Sequence, residues 1–123
     1  MVIPALNEEE PIGAVVRAIP PGIADEVLVV DNGSTDRTAE CARAAGARVI
    51  AEPRRGYGRA CRTGIQAVAA DSEIIVFLDG DGSDCPEFIL CLPRTDSSVA
   101  VWSPHCRTYG RWPASSPVRQ ARP

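Results

Sequence analysis

The stretch Ile74-Ile75-Val76-Phe77-Leu78-Asp79-Gly80-Asp81-Gly82-Ser83-Asp84 decides the fold. Five consecutive apolar residues, without the alternation of a half-exposed strand, read as a strand buried on both faces, the pattern of a parallel sheet covered by helices. The run breaks on an acidic, glycine-rich turn. Upstream, two segments repeat that form: Met1–Ile3 runs into Pro4-Ala5-Leu6-Asn7-Glu8, and Val27–Val30 runs into Asp31-Asn32-Gly33-Ser34-Thr35-Asp36. Arg48–Ala51 reads as a further short strand.

Between these runs the period changes to that of a helix. Ile12, Val15, Val16 and Ile19 fall on one face of a helix that Pro20 and Pro21 terminate. A second helix is expected from a Ser34 or Thr35 cap to about Ala45, ending at Gly46, and a third turns Ile65, Val68 and Ala69 inward. Strands alternating with helices give successive βα units, hence an α/β chain with a parallel central sheet in three α/β/α layers. Four such strands leave sheet edges unpaired, from which we expect association into a homo-oligomer.

The 123 residues, 45% hydrophobic and 24% charged, suffice for one domain with a core. A net charge of −3 argues against nucleic acid or an anionic membrane as the main partner, because both attract concentrated positive charge. Five cysteines with no CxxC, and no leader at the start of the chain, fit a reducing, cytoplasmic setting. Cys85, Cys91, His105 and Cys106 follow no ordinary zinc-ligand spacing. No apolar run approaches the length that spans a bilayer.

In an open parallel sheet, ligands bind beyond the carboxyl ends of the strands, where strand order reverses, so the three acidic strand ends are expected to meet in one crevice. Asp79 and Asp81 flank a glycine, letting a tight turn present two hard oxygen ligands to Mg²⁺ or Mn²⁺. Such an ion completes its shell with water and substrate phosphate, which is how a net acidic protein binds a diphosphate. An isolated DGD is more often only a polar turn; its place after an apolar strand favours the site. An EF-hand is excluded, since Asp84 and Leu90 stand where that loop needs Gly and Glu. Arg54, Arg55, Gly56, Tyr57, Gly58 and Arg59 precede a helix in a loop suited to phosphate oxygens. The turn after the first strand lacks GxGxxG, which disfavours a dinucleotide module.

As an ordered set, VIPALNEEE, VVDNGSTDRT, RRGYGRACRTGI and FLDGDGSD resemble the inverting glycosyltransferases of family 2, which have the Rossmann-like GT-A fold. Within that family the chain looks most like the polyprenyl- and dolichyl-phosphate sugar transferases. The resemblance covers about Met1–Phe88, and we assign residues 1–92 to a nucleotide-diphosphate-sugar-binding domain. It implies a UDP- or GDP-linked sugar donor, a divalent metal on Asp79 and Asp81, a polyprenyl-phosphate or other hydroxyl acceptor, and a place at the inner face of the membrane. Carried over by position, Pro4, Leu6 and Glu8 match the stretch that touches the nucleoside. Val30 and Asn32 match the strand end that recognises base or ribose, and Asp79, Gly80 and Asp81 match the metal and diphosphate site. Asn32 replaces the commoner Asp, which leaves nucleotide preference open and makes Asp31 an alternative contact. Arg55 and Gly58 are the expected phosphate contacts of the loop.

Residues 93–123 are rich in Pro, Arg and Ser, show no usable periodicity, and read as an irregular tail. No general base is assignable there, Asp96 being its one carboxylate. The clipped first strand and this tail point to a fragment with an incomplete C-terminal half, or to a reading frame that diverges near Cys91. Two functions compete: the donor-binding part of a metal-dependent transferase, and a nucleotide-sugar-binding remnant without catalysis.

Overall fold

A computed structural model describes residues 1–70, 72, 74–84, 86 and, for the backbone, 99–101. The chain runs β1 (Val2–Ala5), α1 (Ile12–Ala18), β2 (Leu28–Asp31), α2 (Thr38–Ala44), β3 (Arg48–Ala51), α3 (Tyr57–Ala67), β4 (Ile75–Phe77) and β5 (Val99–Val101). All strands are parallel, in the order β3-β2-β1-β4-β5. Chain order therefore reverses between β1 and β4, and the crevice above their carboxyl ends is the expected ligand position.

Alternation along β1 and β2 divides the core in two. Ile3, Ala5 and Val29 face Ile12, Val15 and Val16 of α1 and Ala42 of α2. Val2, Leu28 and Val30 face the opposite way, with Ala60 of α3 and Ile75 and Phe77 of β4. The sheet is thus covered on both faces, as its unbroken apolar runs require. The three-layer α/β/α fold expected for GT-A is what the chain forms.

Four local expectations change. Ser34 and Thr35 do not cap α2, which begins at Thr38. Asp36 does that work: its Oδ1 accepts from the Thr38 backbone N–H at 3.0 Å and from the Thr38 hydroxyl. Ala69 is exposed, not inward, because α3 stops at Ala67 and Val68 is extended, which ends the helical period. Gly58 lies inside the first turn of α3 and not in the preceding loop. Within the segment read as irregular, Val99–Val101 forms β5 beside β4. Three residues are too few to show a period. The rest of that segment, and the four residues weighed for zinc, Cys85, Cys91, His105 and Cys106, lie outside the described residues. Among the described residues no helix is long and apolar enough to cross a membrane.

Candidate functional site

The ends of β1 and β4 and the start of α3 enclose one cleft. Pro4, Ala5, Leu6 and Glu8 form one wall, Asp79, Gly80 and Asp81 another, and Asn32, Gly56, Tyr57 and Ala60 close it. The two carboxylates assigned to a metal and the residues assigned to a nucleoside therefore meet at the topological switch point. Pro4 is buried, whereas Leu6 is exposed and offers an apolar side chain to the cleft.

The acidic turn is held by its own backbone. The Asp79 N–H donates to Oδ2 of buried Asp84 at 2.9 Å, and the Ser83 N–H donates to Asp81 Oδ1 at 2.8 Å. Asp84 thereby fixes the backbone at Asp79. The Tyr57 hydroxyl donates to Asp79 Oδ1 at 3.2 Å. Burial, followed by the charges of Cys61 and Asp79, pushes the Tyr57 phenol well above its usual range, so it stays protonated and remains a donor. Burial also raises the Cys61 thiol.

Glu8 reports the electrostatics of the cleft. Its carboxyl is held above its ordinary value by burial first, then by the negative charges of Asp81, Asp36 and Asp79. Acids gathered so that one resists ionisation make a cavity that suits a cation. Among the described residues no group of three or more His, Cys, Asp or Glu side chains gathers as a metal cluster. Two aspartates would leave a hard cation's remaining positions to water and phosphate oxygens, which is how Mg²⁺ commonly binds.

Asn32 lines the cleft and also braces the loop beside it. It is buried, and its amide staples the loop before α3: Nδ2 donates to the carbonyls of Glu52 at 3.0 Å and Arg54 at 2.9 Å, while Oδ1 accepts from the Gly56 N–H at 2.8 Å. Both of its donors are committed to the backbone. Gly56 has φ +142°, a conformation that L side chains rarely adopt, so the staple holds a turn that glycine permits. Val30 is fully buried among Val2, Leu28 and Ala60, where alternation sends it toward α3 and away from the cleft. Asp31 Oδ1 accepts from the Ser34 N–H at 3.0 Å, turning its own loop, and does not line the cleft. Arg55 is exposed and reaches the Gly33 carbonyl at 3.5 Å, and Gly58 is exposed on α3; neither lines the cleft. Ala5, Gly56 and Tyr57 stood in stretches expected near the ligand but were not assigned as site residues, and Ala60 was missed. The aromatic between two glycines in RRGYGR was the available signal for Tyr57.

The profile of the family described as glycosyl transferase family 2 matches residues 1–92. The chain belongs to that family. An uncharacterized glycosyltransferase of Mycobacterium tuberculosis is 47% identical over 98 residues, covering 76% of this chain and 43% of that protein. Glucosyl-3-phosphoglycerate synthase of Mycolicibacterium smegmatis is 42% identical over 92 residues, 66% of this chain and 30% of the enzyme. The crystal structure of M. tuberculosis glucosyl-3-phosphoglycerate synthase with Mn²⁺, UDP-glucose and phosphoglyceric acid matches with a TM-score of 0.56 at 40% identity, over 64% of this chain and 31% of that one. A second crystal structure of that synthase holds Mg²⁺ and UDP, again with a TM-score of 0.56. This chain spans less than half the length of these relatives.

These relatives redirect the likeness within the family. The sequence pointed to polyprenyl-phosphate transferases, whereas the relatives of named activity described above are glucosyl-3-phosphoglycerate synthases, the M. tuberculosis enzyme crystallised with phosphoglyceric acid. They give no support to a lipid-phosphate acceptor. The motifs that carried the resemblance were read for a donor nucleotide diphosphate, which makes the same demands whatever acceptor follows.

Proposed function

We propose that this chain carries the donor half of a nucleotide-sugar glycosyltransferase, holding UDP-glucose or a close UDP-sugar in the cleft between β1 and β4. The observation that carries the reading is the convergence of Asp79 and Asp81 with Pro4, Leu6 and Glu8 on that cleft. UDP is favoured over GDP because the solved relatives were crystallised with UDP and UDP-glucose. The nucleoside rests against Pro4 and Leu6, and the diphosphate lies toward Asp79, Gly80 and Asp81.

Asp79 and Asp81 would hold Mn²⁺ or Mg²⁺, which when bound supplies the positive charge this acidic cleft lacks and stabilises the diphosphate as a leaving group. Asp84 holds the turn so that both carboxylates are presented together, and Asn32 holds the opposite rim through Gly56. The residues assigned here all serve the donor. The matched segment covers about a third of the solved synthase, which favours donor binding as its share of the reaction, with binding without transfer as the second reading.

The test is transfer or hydrolysis of labelled UDP-glucose with Mn²⁺, alongside calorimetric binding of UDP, for the wild type, Asp79→Ala and Asp81→Ala. We expect Mn²⁺-dependent UDP binding that both substitutions abolish. Equal binding and equal turnover in all three proteins would remove the proposed site. Binding without turnover selects the second reading.

A further inference from the structure

The Tyr57 hydroxyl meets Asp79 Oδ1, one of the two carboxylates assigned to the metal, at 3.2 Å across the cleft. Each end of this hydrogen bond is anchored separately. On one side, the Asp79 backbone is fixed by buried Asp84. On the other, Tyr57 is the first residue of α3, directly after Gly56, whose N–H is tied to the buried Asn32 amide. The helix itself is seated on β1 by Ala60, which is fully buried, and by Gly64 against Val2. A side chain so placed holds its acceptor in one orientation.

Carboxylates that ligate metals are commonly oriented by a hydrogen bond to one oxygen, which leaves the other directed at the ion and lowers the entropy lost on binding. We infer that Tyr57 is a positioning residue for the cation site: its hydroxyl fixes Asp79 through Oδ1, so that the carboxylate meets a divalent cation already oriented. The inference rests on the donor-site reading above. Tyr57 belongs to neither core cluster, so removing the hydroxyl alone leaves the core untouched.

The experiment is Mn²⁺ titration followed by the electron paramagnetic resonance of free Mn²⁺, with UDP present, for the wild type, Tyr57→Phe and Asp79→Ala. Thermal melting is measured on the same samples. We expect Tyr57→Phe to melt like the wild type while its Mn²⁺ dissociation constant rises by about tenfold, the lower end of what hydrogen-bonded partners of metal ligands contribute. Asp79→Ala should lose Mn²⁺ binding. An unchanged or tighter Mn²⁺ constant in Tyr57→Phe, with Asp79→Ala still defective, overturns the role of Tyr57 and leaves the donor site standing. Absence of Mn²⁺ binding by the wild type overturns both.

Discussion

A Cβ at Gly64 would lie 2.3 Å from Val2 Cγ1 and 3.2 Å from Val30 Cγ2. No real side chain tolerates the first distance, so α3 sits on β1 and β2 only because this helical position is glycine. Glycine inside a helix costs about 1 kcal/mol relative to alanine, and here close packing offsets that cost. The same contact sets the height of Tyr57 and Ala60 over the cleft.

Gly64→Ala is therefore expected to destabilise the protein. Overpacking a filled core costs about 1–3 kcal/mol, less the roughly 1 kcal/mol gained in helix propensity. With fully buried Val2 unable to swing away, the overpacking cost falls in the upper part of that range, so the net loss should be about 1–2 kcal/mol, a fall in melting temperature of roughly 5–10 °C. Adding Val2→Ala should recover part of it. A Gly64→Ala protein as stable as the wild type would mean that α3 packs at a greater distance.

Replacing Asn32 by leucine keeps the bulk and removes three hydrogen bonds to the loop, at Glu52, Arg54 and Gly56. A buried polar group left unsatisfied costs about 1–3 kcal/mol, so a loss in that range is expected in urea unfolding, with weaker UDP binding as the rim at Gly56 loosens. Asn32→Asp should not rescue it, because both amide donors face carbonyl oxygens and a carboxylate has none to offer. Full stability in Asn32→Asp would show that the loop has another anchor.

The parts of this fold legible in the sequence are those that depend on local pattern. Arg48–Ala51 is a strand within the stated limits, Ile12, Val15 and Val16 are buried on one helix face, and β2 and β4 are apolar runs enclosed by helices, although Ile74, read as part of the buried fourth strand, lies before β4 and is exposed. The strand-end rule also placed Pro4, Leu6, Glu8, Asp79 and Asp81 on one cleft. What escaped depends on partners far along the chain. Ser34 and Thr35 are good helix caps by type, yet the Ser34 hydroxyl accepts from the Asn7 N–H and the Thr35 N–H donates to Asn7 Oδ1, across 27 and 28 residues. Val30 and Asn32 share a strand end, but alternation sends Val30 into the core, and the loop at 52–56 claims the amide of Asn32. Tyr57 could be judged a cleft residue only once α3 was seated on β1 and β2.

Thr63 Oγ1 donates to Glu52 Oε2 at 2.7 Å, and this bond, followed by the Arg54 N–H, holds the Glu52 carboxyl below its ordinary value of 4.5. The unfolded chain binds the proton more readily than the native one, so Glu52 contributes stability above pH 4.5 that is lost as pH falls toward its native value. Thr63→Val removes the largest cause. Its deficit against the wild type should be full at neutral pH and shrink as the medium is acidified below 4.5. A deficit independent of pH would assign the effect to packing of Thr63 alone.

Glu8 carries the opposite sign. Burial and the charges of Asp81, Asp36 and Asp79 raise its carboxyl above 4.5, so the native protein holds this proton more tightly than the unfolded chain. Stability therefore falls as pH rises from 4.5 through the native value, because ionised Glu8 is repelled by its neighbours. Glu8→Gln keeps the shape and the backbone N–H that donates to Thr38 Oγ1 at 2.8 Å, while removing the charge. It should melt with the wild type at acid pH and above it at neutral pH. A cation between these acids reverses the preference: Mn²⁺ should bind the wild type more tightly as Glu8 ionises, and Glu8→Gln should flatten that rise. Parallel pH profiles for the two proteins, in melting and in Mn²⁺ affinity alike, would mean that Glu8 does not share the field of Asp79 and Asp81.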